Sequence, residues 1–177
     1  MLHLLSALEY QIEHILRRTA LFAGRHLSVD MIINPEAGTL SSEKRAVATV
    51  EHLNRLARGI VAPLRGDDEF SIRFHLTHYV GHAREIARAM CARSVPDVHL
   101  IVSAGGDGTH GEVLSSCDGM LPSGAGDKEL FFVRLPFGTG NDGADAPDLP
   151  TAVRLLLGCA EQRRTGQVVV TPHGMPA

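Results

Sequence analysis

Between residues 26 and 171 the chain alternates short runs of β-branched and aliphatic residues with longer stretches of helical periodicity, and glycine clusters follow directly on three of the runs. Such alternation restricts the fold to an α/β layer architecture with a largely parallel sheet, in which strands apolar at nearly every position are buried on both faces. Strands are expected at 27–33, 70–76, 98–103, 130–135 and 168–171, with the third and fourth almost continuously apolar. Helices are expected between them. Val47, Val50, Leu53, Leu56 and Ile60 make one stripe, entered through Ser41 and Ser42 as caps with Glu43 in the first turn. Ala83, Ile86, Ala87 and Met90 make the next, a third helix starts near His110, and Asp148 caps a fourth with Pro150 in its opening turn and Ala152, Leu155 and Leu156 on its inner face. Residues 118–127 read as a surface loop and 65–69 as a charged turn.

Composition narrows the class of function. With 177 residues, 44% apolar and 21% charged, the chain has material for one ordinary domain and is neither disordered nor collagenous. Seventeen Lys plus Arg against twenty Asp plus Glu leave a net charge of −3, so there is no basic field for nucleic acid, and any site for a polyanion must be local. Cys91, Cys117 and Cys159 are odd in number and outside any C-x-x-C pair, which predicts free thiols in a reducing compartment. Glu9, Glu13, Arg17 and Arg18 interrupt the first apolar stretch, so it is not a secretory signal. No window approaches the roughly 18 consecutive apolar residues of a spanning helix, and a soluble, cytoplasmic chain is expected. Leu4, Leu5, Leu8, Ile12, Ile15 and Leu16 form an amphipathic stripe expected to pack on the domain or on a second copy in preference to a lipid surface.

In an open α/β sheet, ligands bind beyond the carboxyl ends of the strands, and three of those ends are unusual here. After the first strand comes Asn34-Pro35-Glu36-Ala37-Gly38; after the third, Gly105-Gly106-Asp107-Gly108-Thr109; after the fourth, Pro136-Phe137-Gly138-Thr139-Gly140-Asn141-Asp142. Glycines in such loops let backbone N–H groups approach phosphate oxygens with no Cβ in the way. One such loop is as well explained as a tight turn, but three at one edge of one sheet favour a shared phosphate site. In the middle loop only Asp107 and Thr109 carry functional side chains, and the following helix aims its positive end at the loop. A carboxylate there fits Mg²⁺ lying between it and phosphate, or a hydroxyl donating to it. Glu112 either reaches back into that site or caps the helix as the partner of Thr109; both remain open.

Other motifs are set aside. Residues 138–143 match G-x-G-x-x-G, but they follow the fourth strand, and no acidic residue ends the next one as a dinucleotide site requires. There is no Walker A sequence and no protein-kinase signature. His75, His78 and His82 have spacings that fit no single face and read as a strand end and helix start, Cys117 as packing, and Arg163 and Arg164 as a solvated turn.

Taken in order and spacing, NPEAG, GGDGT and P-x-GTGND resemble the catalytic domain of the diacylglycerol kinase and sphingosine kinase family of lipid kinases, whose wider superfamily includes NAD kinases and phosphofructokinases. The resemblance spans about 27–170, and Thr77 with His82-Ala83 matches a further family position. It implies a three-layer α/β/α nucleotide-binding domain with a mostly parallel sheet that transfers the γ-phosphate of MgATP to the hydroxyl of diacylglycerol or a sphingoid-like lipid. It places Asn34, Pro35 and Gly38 against the nucleotide and Thr77 near its base or ribose. Gly105, Gly106, Asp107, Gly108, Thr109 and Glu112 surround the phosphates, with Gly138, Thr139, Gly140 and Asn141 beside them. Asp107 and Asp142 are the implied catalytic carboxylates, Asp107 with the metal, and a turn-bracing role is the alternative for Asp142.

By the resemblance, family members continue into a β-rich second domain that binds the lipid and supplies a general base, and residues 1–177 are expected to hold the nucleotide-binding half alone. The expected organisation is an amphipathic helix over 1–25, the nucleotide-binding domain over 26–166, and the stub of a crossover over 167–177. Gly111 stands where relatives often carry Asn, and Asp145 where an Arg is usual. An inactive nucleotide-binding remnant is the alternative function, and an NAD kinase a third, against which GTGND argues. Transient membrane contact and a homodimer are the expected associations.

Overall fold

Two central strands that bury every residue organise the molecule. In a computed structural model describing residues 2–93, 97–116, 129–140 and 146–158, β1 (Leu27–Ile33) and β3 (Val98–Gly105) are buried from end to end. β2 (Phe70–Leu76) flanks β1 and β4 (Glu129–Pro136) flanks β3, so the sheet of the described residues runs β2-β1-β3-β4 with every pair parallel. Register is level across it: Ile33 pairs with Leu76 and Ala104, and Gly105 with Pro136. The chain therefore leaves all four strands at one edge.

Among the described residues, five helices cover the two faces. α1 (Leu2–Leu16), α2 (Glu43–Arg58) and α5 (Leu149–Leu156) share one apolar core with Leu27, Val29, Met31 and Ile33 of β1. α3 (His82–Ala92) and α4 (Asp107–Ser116) cover the other face, where Ala83, Ala87, Met90 and Val113 pack on Ile32 and Ile101. The result is a three-layer α/β/α domain. The amphipathic stripe of α1 packs on this domain itself: Leu8, Ile12, Ile15 and Leu16 are at most 3% exposed, each burial contributing about 1.5–3 kcal/mol of hydrophobic transfer. Local signals act as their chemistry dictates. Ser42 accepts from Arg45 N to cap α2, and Asp148 accepts from Thr151 N to cap α5 over Pro150.

Four expectations are corrected. β4 is not doubly buried: Phe131 is 38% exposed, because β4 is an edge strand of the described sheet. α4 starts at Asp107 instead of near His110, since the helical turn forms within the glycine-rich loop itself. On α2 the core side runs through Ala46, Leu53 and Ala57 and leaves Val47 at 37% exposure, so the stripe is rotated toward its small residues. Cys91 is disulfide-bonded, not a free thiol. Sequence separation carries no information on such closeness. The expected strand at 168–171, the loop at 118–127, and Arg163 and Arg164 lie outside the described residues. Among those described, no helix is long and apolar enough to cross a membrane.

Candidate functional site

The strand order reverses between β1 and β3, because the chain passes from β1 to β2 on one side and then returns to lay β3 on the other. The loop after β1 leads to α2 on one face and the loop after β3 to α4 on the opposite face, which opens a crevice at this switch point. Asn34, Thr77, Gly106 and Phe137 are the first residues past the level strand ends and so border it.

The loops are tied to one another. Asn34 N donates to Ala104 O at 2.9 Å, and Asn34 Nδ2 donates to Thr109 Oγ1 at 3.1 Å, joining the first loop to the second. Thr39 donates to Phe137 O from both its N–H and its hydroxyl, at 3.0 and 2.9 Å, joining the first to the third. Two glycines are required by this closeness. A Cβ on Gly105 would stand 2.6 Å from Thr109 Cβ and Oγ1, and one on Gly38 would overlap Thr139 Cγ2 and lie 3.0 Å from its backbone N.

Of the residues expected to bind nucleotide, Asn34, Pro35, Gly38, Thr77, Gly105, Gly106, Asp107, Gly108, Thr109, Gly138, Thr139 and Gly140 all belong to this loop cluster, while Asn141 and Asp142 lie outside the described residues. Asp107, Gly108, Thr139 and Gly140 are exposed at its surface; Thr77, Gly105, Thr109 and Gly138 are buried beneath. Asn34 and Thr109 spend their polar atoms on each other, and Asn34 Oδ1 also accepts from Glu36 N at 2.9 Å. Glu112 has a partner that neither reading from sequence named: its carboxylate accepts from Gly81 N at 2.9 Å and anchors the left-handed turn (Gly81 φ 90°) that starts α3. Arg45 was not singled out from sequence. It donates from Nη1 to Gly38 O at 3.1 Å and puts a cation beside the first loop, a position signalled only by its place three residues after the Ser42 cap.

Beneath the loops, the α3/α4 face of the sheet carries buried polar residues beside its apolar cluster. Asp30, fully buried on β1, accepts from Arg93 Nη2 at 2.6 Å and Nη1 at 3.3 Å, and bonds His99 Nε2 at 2.7 Å and His75 Nε2 at 3.0 Å. Burial pushes its carboxyl up, but the His75, His99 and Arg93 bonds together outweigh this and hold it well below the ordinary carboxylate range. His75 thus belongs to a structural ion cluster, and His82 Nδ1 accepts from His78 N at 3.1 Å. Among the described residues no group of three or more His, Cys, Asp or Glu is arranged to hold a metal ion. Asp107 is a single exposed carboxylate at the start of α4. That donor set fits Mg²⁺ held jointly with substrate phosphates, the usual mode for this ion, and no all-protein cage.

Residues 28–171 match the family model described as the diacylglycerol kinase catalytic domain. The match covers β1 to β4 with all three loops and starts beyond α1. No curated protein matches the chain.

Proposed function

The chain belongs to the diacylglycerol kinase catalytic domain family, and from that membership we propose that it transfers the γ-phosphoryl group of MgATP to a lipid hydroxyl, with the crevice between β1 and β3 as its nucleotide site. The observation that carries this reading is the knotting of three glycine-rich loops at the switch point of the sheet, with Asp107 exposed at the start of α4. The N–H groups of 106–109, unsatisfied within the helix, are donors for phosphate oxygens, and the aligned peptide dipoles of α4 add positive potential there. Asp107 would hold Mg²⁺, which supplies charge neutralisation between phosphate groups. Arg45 adds a cation at the rim that Asp145 does not.

In the transfer, a bond forms between the lipid oxygen and the γ-phosphorus while the bond from that phosphorus to the oxygen bridging to the β-phosphate breaks. The protein's share is alignment and electrostatics. Asn34, Pro35 and Thr77 border the nucleotide side, and Gly138, Thr139 and Gly140 the opposite wall. Family membership adds Asn141 as a nucleotide contact and Asp142 as a second carboxylate. The nucleotide-binding unit is 26–166, with 1–25 as an accessory helix packed on it and 167–177 as the start of a crossover. The acceptor is diacylglycerol or a sphingoid-like lipid, reached from the cytoplasm by transient membrane contact.

The test is transfer of labelled phosphate from MgATP to extracted lipid. Labelled lipid that disappears with Asp107→Asn is expected. Label on NAD in preference to any lipid would overturn the acceptor class, and no transfer by a chain that binds MgATP would favour the inactive remnant.

A further inference from the structure

Ser103 and His110 make a buried bond to which neither the family motifs nor the crevice assigns a role. Ser103 lies on β3 two residues before Gly105, and His110 lies in the first turn of α4; each is 3% exposed, and Oγ and Nδ1 are 2.6 Å apart. The pair has the chemistry of an activated nucleophile, but a hydroxyl closed inside a strand reaches no substrate. Its position suggests a different task. Gly105, Gly106 and Gly108 lack side chains and that of Asp107 is exposed, so the loop's orientation depends on Thr109 and His110. Thr109 is tied to Asn34 in the loop after β1, and His110 is tied to β3. These neighbours on α4 point about 100° apart, as 3.6 residues per turn requires, so the two bonds hold the first turn from two directions. His110 N also donates to Gly106 O at 3.1 Å, which places the same residue in the loop's own backbone.

We propose that His110 is a positioning residue: through its bond to Ser103 it fixes the first turn of α4 so that the N–H groups of 106–109 are preorganised for phosphate. This rests on the reading of that loop as a phosphate cradle. The experiment is calorimetric titration of MgATP into the full chain, with thermal unfolding recorded for each variant. His110→Leu and Ser103→Ala each weaken binding by about tenfold, the scale of one buried hydrogen bond, and the double variant is no weaker than either. His110→Asn, whose side chain sets a polar atom near the place of Nδ1, restores affinity; His110→Gln, which reaches the place of Nε2, does not. A merely structural role would lower thermal stability in all three His110 variants and leave the affinity of the folded protein alone. Where His110→Leu does not fold, Ser103→Ala and the Asn and Gln variants carry the test. Wild-type binding with every folded variant within about twofold of it overturns the positioning role and spares the cradle, since loss of the bond would shift affinity further. No binding by the wild type overturns both.

Discussion

The two faces of the sheet are made from the same strands and are held together by different forces. Under α1, α2 and α5, β1 presents Leu27, Val29, Met31 and Ile33, and β3 presents Val98, Leu100, Val102 and Ala104, all inside one apolar cluster. Under α3 and α4 the alternate residues are Ser28, Asp30 and Ile32, then His99, Ile101 and Ser103. The first face is stabilised by area removed from water, which is non-directional and tolerates small shifts. The second depends on bonds with fixed partners: Asp30 to Arg93, His99 and His75, and Ser103 to His110. Directional bonds set the placement of α3 and α4, and α4 begins inside the glycine-rich loop after β3. The apolar face is thus held by area, each part of which counts modestly, and the polar face by bonds that are costly to break singly.

Removing one group from each face tests that division. Asp30→Ala takes the buried carboxylate partner from the fully buried His99 and from Arg93, and is expected to cost about 3–5 kcal/mol in chemical denaturation. Its neighbour Met31, fully buried in the opposite face, is expected to cost about 3 kcal/mol when cut to Ala. The comparison breaks if Met31→Ala costs clearly more than Asp30→Ala. A smaller effect separates the faces by pH. Because the folded carboxyl of Asp30 titrates below its ordinary value of 3.8, its stabilisation is complete above that value and is lost as pH falls from there toward the lower folded value. Acid unfolding curves should therefore steepen below about pH 4 in the wild type and in Met31→Ala, and flatten in Asp30→Asn. Equal slopes in all three would remove Asp30 from the acid response.

Much of the fold was legible because strand and helix periods differ. The bounds of β1 follow from its mostly apolar run and those of β2 from its alternation of apolar and polar residues, and Ser42 and Asp148 mark helix starts by cap chemistry. Legibility failed where a residue's fate depends on distant partners. Asp30 interrupts an apolar run and gives no sign that Arg93, 63 residues on, will neutralise it. Phe131 reads as core, yet it lies on an edge strand. At the site, the glycines announced a close approach without saying to what; for Gly105 and Gly38 the neighbours are Thr109 and Thr139 of the protein itself. Glu112 shows the same limit, since its partner Gly81 comes from another helix start.

The central claim is that the knotted loops form a preformed site for MgATP phosphates, and calorimetric titration of MgATP into the folded chain tests it most directly, repeated with Asp107→Asn and with Mg²⁺ removed. Saturable binding that weakens on both changes is the predicted result. A folded chain that takes up no heat from MgATP, or binds ATP equally well without Asp107 and without Mg²⁺, would contradict it.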